Sequence, residues 1–163
     1  MDIRRIYEYA LQREYEGKRF FQENASRLSH AAAIEAFQNL ALEEQKHIEY
    51  IQAQLDAMQP GSSADIPTDA EIETSGMFSR RAVQESLDQS VAEAMVPDLP
   101  VLRMAYLIER DFAEFYENTA QQFDGPEKQV FLTLADWERR HEQLFKNYHD
   151  RAFEIYSKMP WGG

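Results

Sequence analysis

The sequence predicts an all-α protein: a four-helix bundle made of two repeated helical hairpins, joined by a long crossover that carries a short extra helix. Four long stretches place apolar residues at the 3.6-residue spacing of an amphipathic helix. The 163 residues include only 6 Gly and 6 Pro, which leaves room for long helices. The third observation is that the second half of the chain repeats the helical pattern of the first.

The first predicted hairpin combines helices at about residues 2–28 and 30–58. Ser29 is a suitable N-cap for the second of these helices, and the Ala-rich stretch behind it favours helix formation. Pro60 and Gly61 end that helix, because neither residue continues a regular helical turn.

The second predicted hairpin combines helices at about residues 99–123 and 126–157. Pro100 fits the first turn of the earlier helix, where its missing N–H costs nothing. Gly125 and Pro126 separate the two helices.

The crossover covers about residues 59–98 and includes a short amphipathic helix at about residues 79–95, which Pro97 closes. A 25-residue helix is roughly 38 Å long, so this crossover is long enough to run the length of the bundle. On each predicted helix the apolar residues form a stripe along one face, and some polar residues lie within it. Neither hairpin alone is large enough to bury those polar residues. The whole chain, residues 1–163, is therefore expected to form a single domain.

The two hairpins match each other with an offset of 94 or 95 residues. Ala10 and Glu14 correspond to Ala105 and Glu109. The later matches are Phe37, Leu40, Ala41, Glu44 and His47 with Phe131, Leu134, Ala135, Glu138 and His141. The repeat thus preserves polar residues inside apolar stripes.

Two Glu-x-x-His motifs, Glu44 with His47 and Glu138 with His141, carry the predicted chemistry. Residues at i and i+3 share one helix face, so each motif directs a carboxylate and an imidazole into the core. Buried carboxylates are costly unless they are paired or bind a metal. Two divalent cations would neutralise four of them, and a mixed Glu and His set suits iron or manganese. The predicted metal ligands are Glu14, Glu44, His47, Glu109, Glu138 and His141.

This ligand set resembles that of the ferritin-like superfamily and, within it, the rubrerythrin-like diiron proteins. The resemblance covers nearly the whole chain apart from the crossover. It implies that Glu44 and Glu138 bridge two iron ions. It further implies that the terminal ligands are Glu14, His47, Glu109 and His141. Which histidine binds which metal is left open.

Three features around the ligands refine the resemblance. Tyr116 matches a tyrosine position next to the ligands of the family, and its counterpart in the first half is Phe21. Rubrerythrins usually carry an extra Glu where this chain has Phe112, a departure that bears on the redox-linked ligand switch associated with peroxide reduction. The absence of cysteine means that a rubredoxin-type site is missing.

The resemblance implies an oxidoreductase of ferroxidase or peroxidase type that reacts Fe(II) with O2 or H2O2 on two iron ions per chain. Electrons would come from a separate donor or from the substrate Fe(II). A manganese catalase-like enzyme would use the same ligands. A non-enzymatic module for iron binding, storage or sensing is the alternative. A homodimer or small homo-oligomer is expected from the family.

Composition excludes several other classes. A net charge of −12 disfavours nucleic acid and anionic membrane surfaces as partners. Without cysteine there are no disulfides, thiol catalysis or Cys-ligated metal centres. No signal peptide or membrane span is visible in the sequence, and a cytoplasmic location is expected on that ground.

Several residues near the motifs are expected to have ordinary structural roles. Trp137 is expected to pack in the core. Gly17, three residues after Glu14, fits either a close helix approach or simple tolerance. The residues expected on solvated faces are Glu16, Glu43, Glu114, Glu117, Asp136 and Glu142. His30 and His149 lack the motif and are expected at the surface or at helix ends.

Overall fold

The computed structural model describes residues 2–62, 67, 77–84 and 87–160. Within these residues the chain is all-α, as predicted: it forms six α-helices and one 3-10 turn, with no strand. The α-helices are α1 (Ile3–Ala25), α2 (Ala31–Ala57), α3 (Met77–Gln84), α4 (Gln89–Ala94), α5 (Leu99–Ala120) and α6 (Gly125–Lys158). The 3-10 turn, Val96–Asp98, leads directly into α5.

The four long helices form two hairpins, α1 with α2 and α5 with α6. Two of them end earlier than the sequence predicts. Leu28 lies beyond the end of α1, but its side chain is still buried in the core, which explains why the apolar stripe continues past the helix. Phe123 likewise lies beyond α5 and packs against the core.

The turn between α1 and α2 differs from the prediction in its cap. The N-cap of α2 is His30 instead of Ser29, and His30 Nδ1 accepts a hydrogen bond of 3.1 Å from the amide of Ala32. The amides of Ser29 and His30 bond instead to the buried carboxylate of Asp98, at 2.8 and 3.4 Å. The end of the crossover is thereby joined to this turn.

The crossover contains two short helices where the sequence predicts one helix over residues 79–95. Asp88, with extended backbone angles of φ −60° and ψ 148°, is the N-cap of α4. Helix α3 packs against α6 and also contacts α2, whereas α4 packs mainly against α6. The predicted open chain between α2 and α3 lies largely outside the described residues.

The turn between α5 and α6 follows the predicted sequence signals. Asp124 is the N-cap of α6, Gly125 has a φ of +69°, and Pro126 occupies the first turn. A positive φ of this size is readily adopted only by glycine. The sharp turn therefore places α6 antiparallel against α5.

Two apolar clusters fill the bundle, one toward each end. The first contains Phe21, Ala25, Leu28, Ala33, Ala36, Phe37, Leu40, Ala41, Met95, Leu102, Ala105, Leu144, Phe145 and Ala152. The second contains Tyr7, Ala10, Tyr50, Ile51, Leu55, Phe112, Tyr116, Ala120, Val130, Phe131, Leu134, Ala135 and Trp137. Along every long helix, the residues between these two clusters include the predicted metal ligands.

No helix that the structure describes combines the length and the hydropathy that a membrane span requires.

Candidate metal centre

All six predicted ligands lie in one buried layer between the apolar clusters. Each long helix contributes to it: Glu14 comes from α1, Glu109 from α5, and one Glu-x-x-His motif from each of α2 and α6. All six side chains are fully shielded from solvent. Because i and i+3 positions share a face, each motif presents its two groups together.

Around His47, carboxylates from three helices face the Nδ1 atom. Glu138 Oε1 lies 2.9 Å away, Glu14 Oε2 3.1 Å and Glu44 Oε2 3.8 Å.

Around His141, the same arrangement is repeated with the other terminal carboxylate. Its Nδ1 atom lies 3.0 Å from Glu44 Oε1, 3.3 Å from Glu138 Oε2 and 3.4 Å from Glu109 Oε2.

The two sets of distances separate the carboxylates into two kinds. Glu44 and Glu138 each direct one oxygen toward His47 and the other toward His141. Glu14 approaches His47, and Glu109 approaches His141. This is the geometry expected of two bridging carboxylates and two terminal ones. It also groups each terminal Glu with a particular His, which the sequence leaves open.

The donor set of this layer fits a bound metal. Both carboxylate oxygens of Glu44, Glu109 and Glu138 are buried without a hydrogen-bond partner among the described residues, and so is Nδ1 of His141. Ligand atoms from the two Glu-x-x-His motifs all lie within 4.8 Å of one another. Buried acceptors that face each other are costly unless something positive lies between them. Oxygen and imidazole donors suit iron or manganese.

Without a metal, bound protons neutralise part of the charge of the buried carboxylates. Burial, together with the charges of Glu138 and Glu44, raises the pKa of both Glu14 and Glu109 well above the usual range. Burial works against protonation of His47, but the charges of Glu138 and Glu44 still raise its pKa. The metal-free layer is therefore strongly protonated.

The second histidine and its carboxylate partner respond to the same forces. Burial also opposes protonation of His141, but the carboxylates of Glu109 and Glu138 that face its ring raise its pKa. Burial alone would raise the pKa of Glu138, but the charge of His47 and the nearby imidazole of His141 lower it. Glu138 is thus held as a carboxylate beside both imidazoles.

Glu43 is buried at the site, and its assignment to a solvated face was wrong. Its side chain is on the crossover side of α2, and its Oε2 accepts a hydrogen bond of 3.0 Å from His141 Nε2. Burial would raise the pKa of Glu43, but hydrogen bonds from His141 and Ser79 lower it to about 2. The periodicity of α2 missed this residue because α3 covers a second face of that helix.

Trp137 packs in the core as predicted, and it packs directly on a candidate ligand. Its ring stacks on that of His47 with a centroid distance of 4.7 Å and an interplanar angle of 11°. Nε2 of His47 has no hydrogen-bond partner among the described residues. The sequence repeat places Trp137 opposite Glu43, each directly before the Glu of its motif. The alignment of the two halves was therefore the sequence signal that could have placed both residues beside the candidate histidines.

The other charged residues near the motifs, and the two histidines outside them, lie at or near the surface. Glu16, Glu114 and Asp136 are exposed, as expected. Glu142 is less exposed than predicted, because it lies between Arg110 and Arg139, which donate to it at 2.8 and 2.6 Å. Arg139 also pairs with Glu117, which is partly exposed. His30 lies at a helix end as predicted, and His149 is partly buried against Tyr106 and Phe153.

Comparison with known proteins now identifies the family. The family model described as Rubrerythrin matches residues 6–149. The chain belongs to the rubrerythrin family. It is also similar to the solved structure of a hypothetical protein from Pyrococcus furiosus, with a TM-score of 0.67 and 21% identity over 95% of this chain and 92% of that chain. That likeness shows the fold. No curated protein matches the sequence significantly.

Two aromatic residues lie next to the candidate ligands. The hydroxyl of Tyr116 donates a hydrogen bond to Oε1 of Glu14, and its first-half counterpart, Phe21, has no such group. Phe112, three residues after Glu109, is buried in the second apolar cluster. Its ring lies against Gly17, where an added Cβ would be 3.0 Å from Phe112 Cε2. The close approach expected as one role for Gly17 is therefore present.

Proposed function

We propose that the chain binds two iron ions in this layer and oxidises Fe(II) with O2 or peroxide. The observation that carries the proposal is the arrangement of Glu44 and Glu138. Each gives one oxygen to the neighbourhood of each histidine, in a layer whose buried acceptors lack partners. Membership of the rubrerythrin family, which typically binds iron, supports the same metal.

When bound, two Fe(II) ions would each give up one electron, which balances the two-electron reduction of O2 to peroxide or of peroxide to water. The protein's residues position the ions and exclude bulk water, since all six candidate ligands are fully buried. Tyr116 holds a hydroxyl proton against Glu14 at the edge of the layer. A site this enclosed fits a small oxidant.

An anaerobic Fe(II) titration of chelator-treated protein tests the proposal. We expect two ions per chain, followed by a ferric absorption band when O2 or H2O2 is added. Successive Fe(II) additions separate the alternatives: an enzyme consumes oxidant in each round. A storage or sensing module takes up iron once without further turnover. Gas evolution from H2O2 by the Mn(II)-loaded protein would instead indicate a manganese catalase-like enzyme.

Variants of the two central carboxylates sharpen this test. Glu44→Gln and Glu138→Gln keep side-chain size but remove the charge, so we expect each to lose two-ion binding while keeping native helix content by circular dichroism. Glu142→Gln is the matched control, because Glu142 is on the same helix as Glu138 but bonds to Arg110 and Arg139. Full two-ion binding by both Glu44→Gln and Glu138→Gln would refute the assignment.

A further inference from the structure

One carboxylate connects the candidate metal centre to the crossover. Oε2 of Glu43 accepts from Nε2 of His141 at 3.0 Å. Oε1 of the same carboxylate accepts from the backbone amides of Phe78 and Ser79 at 3.0 and 3.4 Å. The side chain of Ser79 also hydrogen-bonds to Glu43, and both Glu43 and Ser79 are buried.

The His141 end of this connection depends on metal binding. Nδ1 of His141 faces the carboxylates of the ligand layer, so a metal ion there would bind Nδ1. The ring proton is then confined to Nε2, the atom that faces Glu43. A hydrogen bond from the outer nitrogen to a carboxylate fixes the orientation of a metal-bound histidine.

The α3 end depends on Glu43. Helix α3 has only eight residues, too few for a stable isolated helix. Its first-turn amides lack partners within the helix, and Glu43 accepts hydrogen bonds from two of them while placing a negative charge at the helix N-terminus. A pocket of about 450 Å³, lined in part by Phe78 and Arg81, lies beside α3 at the surface of the bundle. Ala82 and Val83 pack with Phe78 against the core. The carboxylate of Glu43 is therefore the polar attachment of the N-terminus of α3, in addition to this apolar packing.

We propose that Glu43 is a positioning residue that couples metal binding at His141 to the docking of α3 on the bundle. The inference rests on the proposed metal site. Because coupling between two binding events is reciprocal, docking of α3 strengthens metal binding at His141 to the same extent as metal binding strengthens docking. The coupling belongs to one of the two metal positions, since Trp137 stacks on the ring of His47 and Nε2 of His47 has no carboxylate partner among the described residues.

Hydrogen exchange on the full chain tests the coupling. The amides of α3 are followed in chelator-treated protein, after anaerobic Fe(II) loading and after Mn(II) loading. We expect loading to slow their exchange by about fivefold or more, the lower end of ordinary coupling between sites. Glu43→Gln should abolish this metal-dependent difference and lower affinity at one of the two metal positions by roughly 10- to 100-fold.

Ser79→Ala tests the same coupling by removing the side-chain hydrogen bond between α3 and Glu43, and it leaves every candidate ligand intact. We expect it to weaken metal binding at one position by several-fold, an effect that a purely local role for Ser79 would not produce. Glu35→Gln is the control, because Glu35 is exposed beside α3 and lines the same cavity. It should behave like the native protein in both measurements.

The outcomes separate this inference from the proposed function. Two-ion binding with unchanged exchange in α3 would overturn the coupling and leave the metal site standing. Equal metal-dependent protection in native protein and in Glu43→Gln would also overturn it. Failure of the native chain to bind any metal would overturn both.

Discussion

The two halves of the repeat supply equivalent candidate ligands but surround them differently. Behind His141, Glu43 accepts a hydrogen bond from Nε2. Behind His47, the equivalent position is Trp137, which stacks on the ring and leaves Nε2 without a partner among the described residues. One imidazole is held by a charged hydrogen bond, and the other by an aromatic surface.

This difference shows what a duplicated hairpin must keep and what it is free to change. For the proposed site the ligands must match, because both metal positions would share Glu44 and Glu138. The residues directly before those two carboxylates are not bound by that requirement. The position that faces the amides of α3 has a carboxylate, and the position within the apolar cluster has a tryptophan.

The largest effect that tests this comparison is expected from Trp137. Trp137→Ala should lower the free energy of unfolding of the metal-free protein by about 3–5 kcal/mol, since it opens a cavity in the core. Glu43→Ala should cost less, about 1–3 kcal/mol, for unpaired hydrogen-bonding groups. Urea denaturation of both variants at one pH measures the difference.

Trp137→Phe is the control for this pair, because it keeps an aromatic ring against His47 and should recover most of the loss. Equal costs for Trp137→Ala and Glu43→Ala would mean that the two imidazoles are supported alike, contrary to the comparison.

A smaller effect per group is expected from the pH dependence of the free energy of unfolding. Here the equivalent groups of the two halves should contribute similar amounts. Glu14, Glu109 and both histidines have raised pKa values, so the native metal-free state keeps protons that the unfolded chain releases. Stability should therefore fall as pH rises above about 6.5, by at most about 1.4 kcal/mol per pH unit for each group. Denaturation of chelator-treated protein between pH 6.5 and about 8.5 measures this slope.

Two variants and one addition check the origin of that slope. Glu14→Gln and Glu109→Gln should each reduce it, and by similar amounts. Saturating Mn(II) should reverse its sign, because metal binding requires the ligands without their protons. A slope that is unchanged in both variants would contradict the protonated layer.

Much of the fold, and the burial of the six candidate ligands in one layer, could be predicted because one signal governs both. Helical periodicity gives the stripes, and the repeat shows that Glu14 and Glu109 belong to them together with the two motifs. A polar residue at a buried position of one stripe is ambiguous. The same residue type at the same position of two stripes is much less so.

The residues outside the ligands could not be predicted in the same way. Periodicity assigns one buried face to a helix, whereas α2 is covered by α1 on one side and by α3 on another. Glu43 therefore counts as exposed on a helical wheel and is buried in the protein. The division of the crossover helix at Asp88 was also missed, because the apolar pattern continues across it.

The smallest effect is expected at Gly17, which the repeat places opposite Phe112. Replacing a glycine within a helix by alanine ordinarily gains about 1 kcal/mol. At Gly17 the new Cβ would be 3.0 Å from Phe112 Cε2 and 3.3 Å from Glu44 Oε2, and Arg13 lies against the Phe112 ring. Crowding should therefore cancel the gain and leave Gly17→Ala within about 1 kcal/mol of the native stability.

A double-mutant cycle with Phe112→Leu resolves these opposing contributions. In the Phe112→Leu background the Cβ has more room, so Gly17→Ala should become stabilising, with a coupling of at least about 0.5 kcal/mol. Metal-free urea denaturation of the four proteins gives the cycle. If Gly17→Ala stabilises both backgrounds equally, the close approach of Phe112 does not constrain this position, and the small residue is only tolerated. If the coupling is found, a glycine in one half and a phenylalanine in the other form a complementary pair. The departure at Phe112 and the glycine after Glu14 would then be one structural feature of this bundle.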